Sequence, residues 1–334
     1  MNHSPPNFSH IYVEERALSF PETTMVIKKF GSAVIVPIRH YKDVFNRPRQ
    51  DRRAQKTSPN LILALRQNNF LYPGSCLSDA AGNNNFYYNS LVLNCLYDCD
   101  YCYLQGLYPS ANMVLFINNN DYFTAVLKTL QTNSPLFLCI SYETDLLALE
   151  RIFPYCRKWI EFTSAHPDLT IELRTKSADY EAIANLKPPP NVLLAWTLSP
   201  AEIIARYEHR TPALPARLKA VRRALAAGWQ VRLSFDPLLL VPQWEVLYRD
   251  FIHDVFKNVA PSRIKDVTLG VFRMNSRFLK KIHSQRLEPD ILYYPFDLSK
   301  RVASYNETHK RALMKHIYTL VQEYLPRQKI HQIE

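Results

Sequence analysis

Cys95-Leu-Tyr-Asp-Cys99-Asp-Tyr-Cys102-Tyr-Leu-Gln105 sets three cysteines at a C-x3-C-x2-C spacing. An apolar run over residues 88–93 leads into it, which predicts a loop just after a strand. Thiolates hold iron–sulfur clusters, and four of them normally complete a 4Fe–4S cube. Three in one short loop leave one iron without a protein ligand, open to a small chelating molecule. Zinc is the competing metal, but a structural zinc site takes two separated cysteine pairs, or cysteines with histidines at metal spacing. Only Cys99 and Cys102 form such a pair, no histidine lies nearby, and Cys76 would have to fold back as a fourth ligand. Disulfides fit no better, because three cysteines crowded within eight residues cannot pair conveniently and nothing else suggests secretion.

The composition narrows the setting. At 334 residues the chain is long enough for one large α/β barrel or two ordinary domains. Apolar residues make up 47%, enough for a substantial core. The longest apolar runs are strand-length, so no membrane span is expected. Residues 1–10 have neither a basic nor an apolar region, which predicts no signal peptide and a cytoplasmic protein. That compartment suits a cluster kept reduced. A formal net charge of +11 favours polyanions such as DNA or RNA, as a field effect. Glycine occurs only six times, without G-x-G-x-x-G or a P-loop, so phosphate cradling by a glycine-rich loop is excluded. Two asparagine triplets, 83–85 and 118–120, read as turns.

Residues 1–87 form an N-terminal extension. Its short apolar runs at 11–20, 24–27, 33–37 and 61–65 suit strands or a helical turn. Arg47, Arg49, Arg52, Arg53 and Lys56 fall within ten residues of it. They read either as a solvated face or as a phosphate-contacting arm. From residue 88 the pattern becomes regular. Strands are expected at 90–94, 135–141, 170–175, 192–198, 230–235 and 266–272. Between them fall helices at 121–131, 145–163 with a break near Pro154, 178–186, 200–207, 215–227 and 243–258. Six alternating units imply a parallel sheet closed as a partial (β/α)6 barrel over residues 88–275, its functional groups on the loops after the strands. Residues 276–334 add a basic segment and an amphipathic helix at 306–324.

The C-x3-C-x2-C spacing, with aromatic Tyr101 before the last cysteine, resembles the signature of the radical SAM enzymes. The resemblance implies that S-adenosylmethionine chelates the open iron and is cleaved to a 5′-deoxyadenosyl radical by an electron from an external donor of flavodoxin or ferredoxin type. Within that superfamily the chain resembles the spore photoproduct lyases, which reverse a methylene-bridged thymine dimer in DNA. The similar blocks are residues 12–21, 95–105, 142–150, 174–176, 195–204, 207–211, 226–228 and 243–245. By that resemblance Cys95, Cys99 and Cys102 ligate the cluster, and Thr144 with adjacent Asp145, Lys176 and Thr197 contact SAM. Tyr101 packs near the adenine, and Tyr103 matches a tyrosine that passes hydrogen back to SAM. Taken alone, Lys176 also suits a solvated lysine and Tyr103 a core tyrosine.

Two departures stand out. Where the family has the thiol that quenches the substrate radical, this chain has Tyr142. Cys139 lies three residues earlier, and odd spacing on a continuing strand sends it to the opposite face. It reads as an inert core thiol, or as a substitute donor if the strand is irregular. Secondly, residues 300–308 pass almost directly into the last helix, leaving no expected room for the family's lesion-binding hairpin. The basic run 273–281 remains as a phosphate contact. Two other functions stay open: a radical SAM enzyme with a different substrate (nucleotide, RNA or peptide), and a non-catalytic nucleic-acid-binding protein with a structural metal.

Overall fold

The structure is a computed structural model that describes residues 7–74, 85–140 and 142–333. Cys76 and most of the asparagine triplet 83–85 lie outside the described residues.

Six parallel strands form the barrel: β1 (Phe86–Tyr88), β2 (Leu136–Cys139), β3 (Leu169–Thr175), β4 (Val192–Thr197), β5 (Gln230–Leu238) and β6 (Asp266–Val271). They stand in sequence order, so each crossover returns beside the strand it left. Every residue of β4 and β6 is buried. That is the signature of parallel strands covered on both faces, and it explains the largely apolar run of β4. Two strands outside the expected six extend the sheet. Ile330–Ile333 runs parallel beside β6, and Tyr72–Pro73 pairs antiparallel with β1.

The first barrel strand is not the expected 90–94. Residues 86–88 pair with β2, whereas Val92–Leu93 crosses to a second sheet and pairs antiparallel with Met113–Phe116. That five-stranded sheet also contains His10–Glu14, Val34–Ile38 and Leu61–Ala64, so it draws strands from both sides of residue 87. The cysteine loop therefore starts at the seam between two sheets. Other local expectations shift for identifiable reasons. Residues 178–186 hold only a short 3-10 turn, Tyr180–Ala182, because side-chain bonds organise the stretch before it: Ser177 N–H donates to Thr175 Oγ1 and Asp179 N–H to Ser177 Oγ. The triplet 118–120 opens a helix, Asn119–Leu130, instead of a turn. Pro154 does break its helix, separating Leu146–Leu149 from Tyr155–Ser164.

The C-terminal segment contradicts the expectation of a missing hairpin. Asp297–Ser299 and Val302–Ser304 pair antiparallel, and Arg273–Asn275 pairs with the second of them. Lys300 and Arg301 make the two-residue turn at φ 46° and 69°. Both angles lie in the left-handed region that such a tight hairpin demands, though neither residue is the glycine or asparagine that usually signals it. The last helix, Glu307–Gln322, buries Leu313, Ile317 and Val321 against the barrel.

Candidate active site

Cys95, Cys99 and Cys102 border one cavity of about 400 Å³ at the C-terminal ends of the barrel strands. Thr144, Asp145, Lys176 and Thr197 line the same cavity, as do Tyr101, Tyr103, Cys139 and Tyr142. The cysteines are free thiols. Burial, with Asp145 nearby, pushes the Cys95 thiol up to about 12, and burial likewise holds Cys99 well above its ordinary range. Such thiols give up their protons to a bound metal and not to water.

The loop carrying them is tied down from behind. Asp98–Cys99 pairs antiparallel with Glu208–His209, in the register Glu208 with Cys99 and His209 with Asp98. Gln105 donates to the carbonyls of Cys99 (2.8 Å) and Asp100 (3.0 Å). Arg286 donates to both oxygens of Asp98 (2.7 Å) and to Asp100 (2.6 Å), and His209 Nε2 lies 3.0 Å from Asp100. Lys56 donates to the carbonyls of Cys95 (2.7 Å) and Tyr97 (2.6 Å).

Glu208 is the hub that sequence reasoning missed. Its side chain is fully buried, accepts from Arg217 at 2.5 Å and from Ser199 at 3.0 Å, and also accepts from the Tyr101 hydroxyl. Lys176 Nζ sits 3.8 Å from it and over the Tyr101 ring. Burial opposes charge on Glu208, but Lys176 and Arg217 outweigh it and hold the carboxyl below its ordinary range. Conversely, burial pulls Lys176 down, and Glu208 with Cys99 more than restores it. Arg217, itself fully buried, reaches on to the carbonyls of Thr197 (3.2 Å) and Pro212 (2.8 Å). Residues 207–211 were visible as a block of resemblance, but nothing in the sequence places Glu208 beneath a loop more than a hundred residues away.

Asp145 lines the cavity with its carboxylate already engaged. Oδ1 accepts from Thr175 Oγ1 (2.7 Å) and from the Ala148 N–H (3.0 Å), while Oδ2 accepts from the Lys176 N–H (2.6 Å). It straps the end of β2 to the end of β3. Thr144 differs, since its buried hydroxyl has no hydrogen-bond partner among the described residues.

Cys139 and Tyr142 share the cavity, contrary to the alternation argument. Strand β2 ends at Cys139, so the two-residue period does not extend to Tyr142. Tyr142 stacks on Tyr88 with centroids 4.4 Å apart, and the Tyr103 hydroxyl donates to the Tyr142 carbonyl at 3.1 Å. Of the basic run, Arg53 is exposed while Arg52 and Lys56 are buried, so two of its cations serve the protein interior. In the run 273–281, Arg273 pairs with Asp236 (3.0 Å) and Lys281 donates to the Tyr108 carbonyl (3.0 Å), leaving Arg277 and Lys280 exposed.

A family model for spore photoproduct lyase matches residues 6–333. The chain belongs to the spore photoproduct lyase family. Among curated relatives, the spore photoproduct lyase of Geobacillus sp. (strain Y412MC61) is 21% identical over 278 residues, covering 81% of this chain and 79% of the relative. That of Clostridium acetobutylicum is 22% identical over 167 residues, 48% of this chain and 49% of the relative. Solved structures share the fold over 99% of both chains at 18% identity. A spore photoproduct lyase complexed with dinucleoside spore photoproduct superposes with a TM-score of 0.84. A doubly substituted one, bound to AdoMet and the dinucleoside, gives 0.81.

The donor set of this chain fits the cluster that its family implies. Among the described residues, no three histidine, cysteine or acidic side chains converge on a single ion. The three free thiols instead share one cavity wall, as ligands to separate irons of a cube must. The unpartnered Thr144 hydroxyl beside them suits a polar cofactor group. No described helix is long and apolar enough to cross a membrane.

Proposed function

We propose that this chain is a radical SAM lyase that repairs the methylene-bridged thymine dimer in DNA. The convergence of three free thiols, a charged lysine and an unpartnered hydroxyl on one cavity carries the reading. Cys95, Cys99 and Cys102 would hold a 4Fe–4S cluster, with SAM bound in the same cavity. When bound, the two supply a 5′-deoxyadenosyl radical after one electron arrives from a flavodoxin- or ferredoxin-type protein.

The chain's own residues then orient and terminate the chemistry. Lys176 and Thr144 hold the polar groups of SAM by charge and hydrogen bond. Thr197 borders the ribose side, and Asp145 positions Lys176 by holding its backbone N–H. Tyr101, pinned by Glu208, gives the adenine a flat wall. Cys139 takes the place of the thiol that the family has at Tyr142: its S–H hydrogen passes to the substrate carbon radical. The thiyl radical this would leave takes the Tyr103 O–H hydrogen, Tyr103 would regain one from 5′-deoxyadenosine, and Tyr142 walls the substrate.

The damaged base must leave the duplex to reach so deep a cavity. Lys300 and Arg301 at the hairpin tip, with Arg277 and Lys280, are the cations for the flanking phosphates, and Leu298, 68% exposed, is the apolar contact beside them. Cytoplasmic residence accompanies this reading.

The test is anaerobic reconstitution with reductant, SAM and an oligonucleotide bearing the dimer, following restored thymines and 5′-deoxyadenosine together. Both products are expected, and Cys139→Ala should abolish restored thymine while deoxyadenosine continues. Deoxyadenosine without repair from the unmodified chain would favour another substrate, as the tyrosine at position 142 would then imply.

A further inference from the structure

We propose that Lys56 sets the reduction potential of the cluster, an inference that rests on Cys95, Cys99 and Cys102 holding one. Lys56 belongs to a short helix, Arg52–Thr57, in the N-terminal extension, capped by Asp51. Arg52 and Lys56 stand four residues apart and so share the inward face, while Arg53 turns to solvent at 62% exposure.

That inward face is a clamp on the cysteine loop. Arg52 donates to the Ser110 carbonyl (2.6 Å) and to Asn94 Oδ1 (3.2 Å), and Asn94 donates on to the carbonyls of Ser110 and Asn112. Asn94 itself sits at φ 70°, a left-handed turn immediately before the first ligand. Lys56 is 7% exposed and reaches Cys95 O and Tyr97 O, gripping the turn between the first two ligands.

The charge matters as well as the hydrogen bonds. Both acceptors are neutral carbonyls, whereas the neighbouring acid, Asp98, is already matched by Arg286. Among the described residues Lys56 has no carboxylate within ion-pair distance, so it brings a cation to the loop that only the more distant Asp98 offsets. A cluster on three thiolates becomes more negative when it accepts an electron. A fixed, desolvated cation alongside favours that reduced state, and cluster potentials respond to local charge, hydrogen bonding and solvent exposure. Lys56 is thus a positioning residue that acts through the loop and never touches substrate.

The experiment is a potentiometric titration of the anaerobically reconstituted full chain, with the reduced cluster read by electron paramagnetic resonance. Lys56→Met and Lys56→Gln should both shift the midpoint to more negative potential, and Lys56→Arg should restore it. Arg53→Met, which removes an exposed charge from the same helix, should leave it in place. Because the site is desolvated, the shift should survive high salt, where a surface charge would be screened. Lys56→Gln at the unmodified potential would overturn the proposal, since glutamine keeps a donor and loses only the charge. That variant also decides the matter if Lys56→Met does not fold. Absence of any iron–sulfur signal from the unmodified chain would instead remove the cluster reading itself.

Discussion

The two halves of the proposed site are built differently. On the cysteine side, polar groups are tied from several directions: Glu208 to Arg217, Ser199 and Tyr101, Asp145 to β3, and the loop carbonyls to Lys56 and Gln105. The other half joins a partly exposed Tyr142 to the hairpin strand Asp297–Ser299, which is exposed throughout. The first half is a preorganised cradle, suited to the proposed cofactor. The second leaves surface for something that arrives and departs.

Breaking the cradle at its ligands should have the largest effect. Cys99→Ala should abolish bound iron and reduce 5′-deoxyadenosine to background, measured by iron analysis and chromatography; retention of both would dissolve the distinction between the halves. Next comes the hub. Glu208→Ala leaves the fully buried Arg217 without its carboxylate and should cost about 3–5 kcal/mol of unfolding free energy. Denaturant melts would show it, and an unchanged midpoint would mean that the cradle does not depend on Glu208.

One point behind the cradle is soft. Glu150 accepts from the N–H groups of Cys156 (2.6 Å) and Arg157 (2.9 Å), at the start of Tyr155–Ser164. Burial nevertheless raises its carboxyl from 4.5 to about 7, the hydrogen bonds offsetting only part of the penalty. A folded value above the unfolded one means stability that is full below pH 4.5 and is lost as pH rises through 7. The loss is on the order of 3 kcal/mol. Glu150→Gln should flatten the profile between those limits, as read by melts at stepped pH. The smallest effect belongs to the open half. Arg301→Gly keeps the left-handed turn while deleting one charge, so the salt dependence of DNA binding should lose about one unit of slope or less, with folding unchanged.

That the cysteines, Thr144, Asp145 and Lys176 would meet at one cavity was legible because their signals are local. Three cysteines in one loop, Thr144-Asp145 after a strand and Lys176 after the next are short patterns, and strand alternation placed them at one end of a sheet. What escaped was long-range. No spacing announces that residues 208–209 will pair with 98–99, or that Arg217 will lie beneath both. The second sheet was hidden likewise, since Val92–Leu93 is as apolar as any barrel strand and only its partner decides which sheet it joins. Cys139 was misplaced because the alternation was run past the strand's end. The hairpin was overlooked because Lys300 and Arg301 are not turn-forming residues by habit, and the flanking pairs impose their conformation.

Arg286 bears on how the protein is made. It grips Asp98 across 188 residues of chain, so the loop of ligands leaves the ribosome long before the residue that braces it exists. On the proposed function, iron loading would therefore belong after synthesis of nearly the whole polypeptide. Until then the three thiols are an exposed, unbraced hazard, and a nascent chain stalled short of residue 286 holds cysteines without a finished place to put metal.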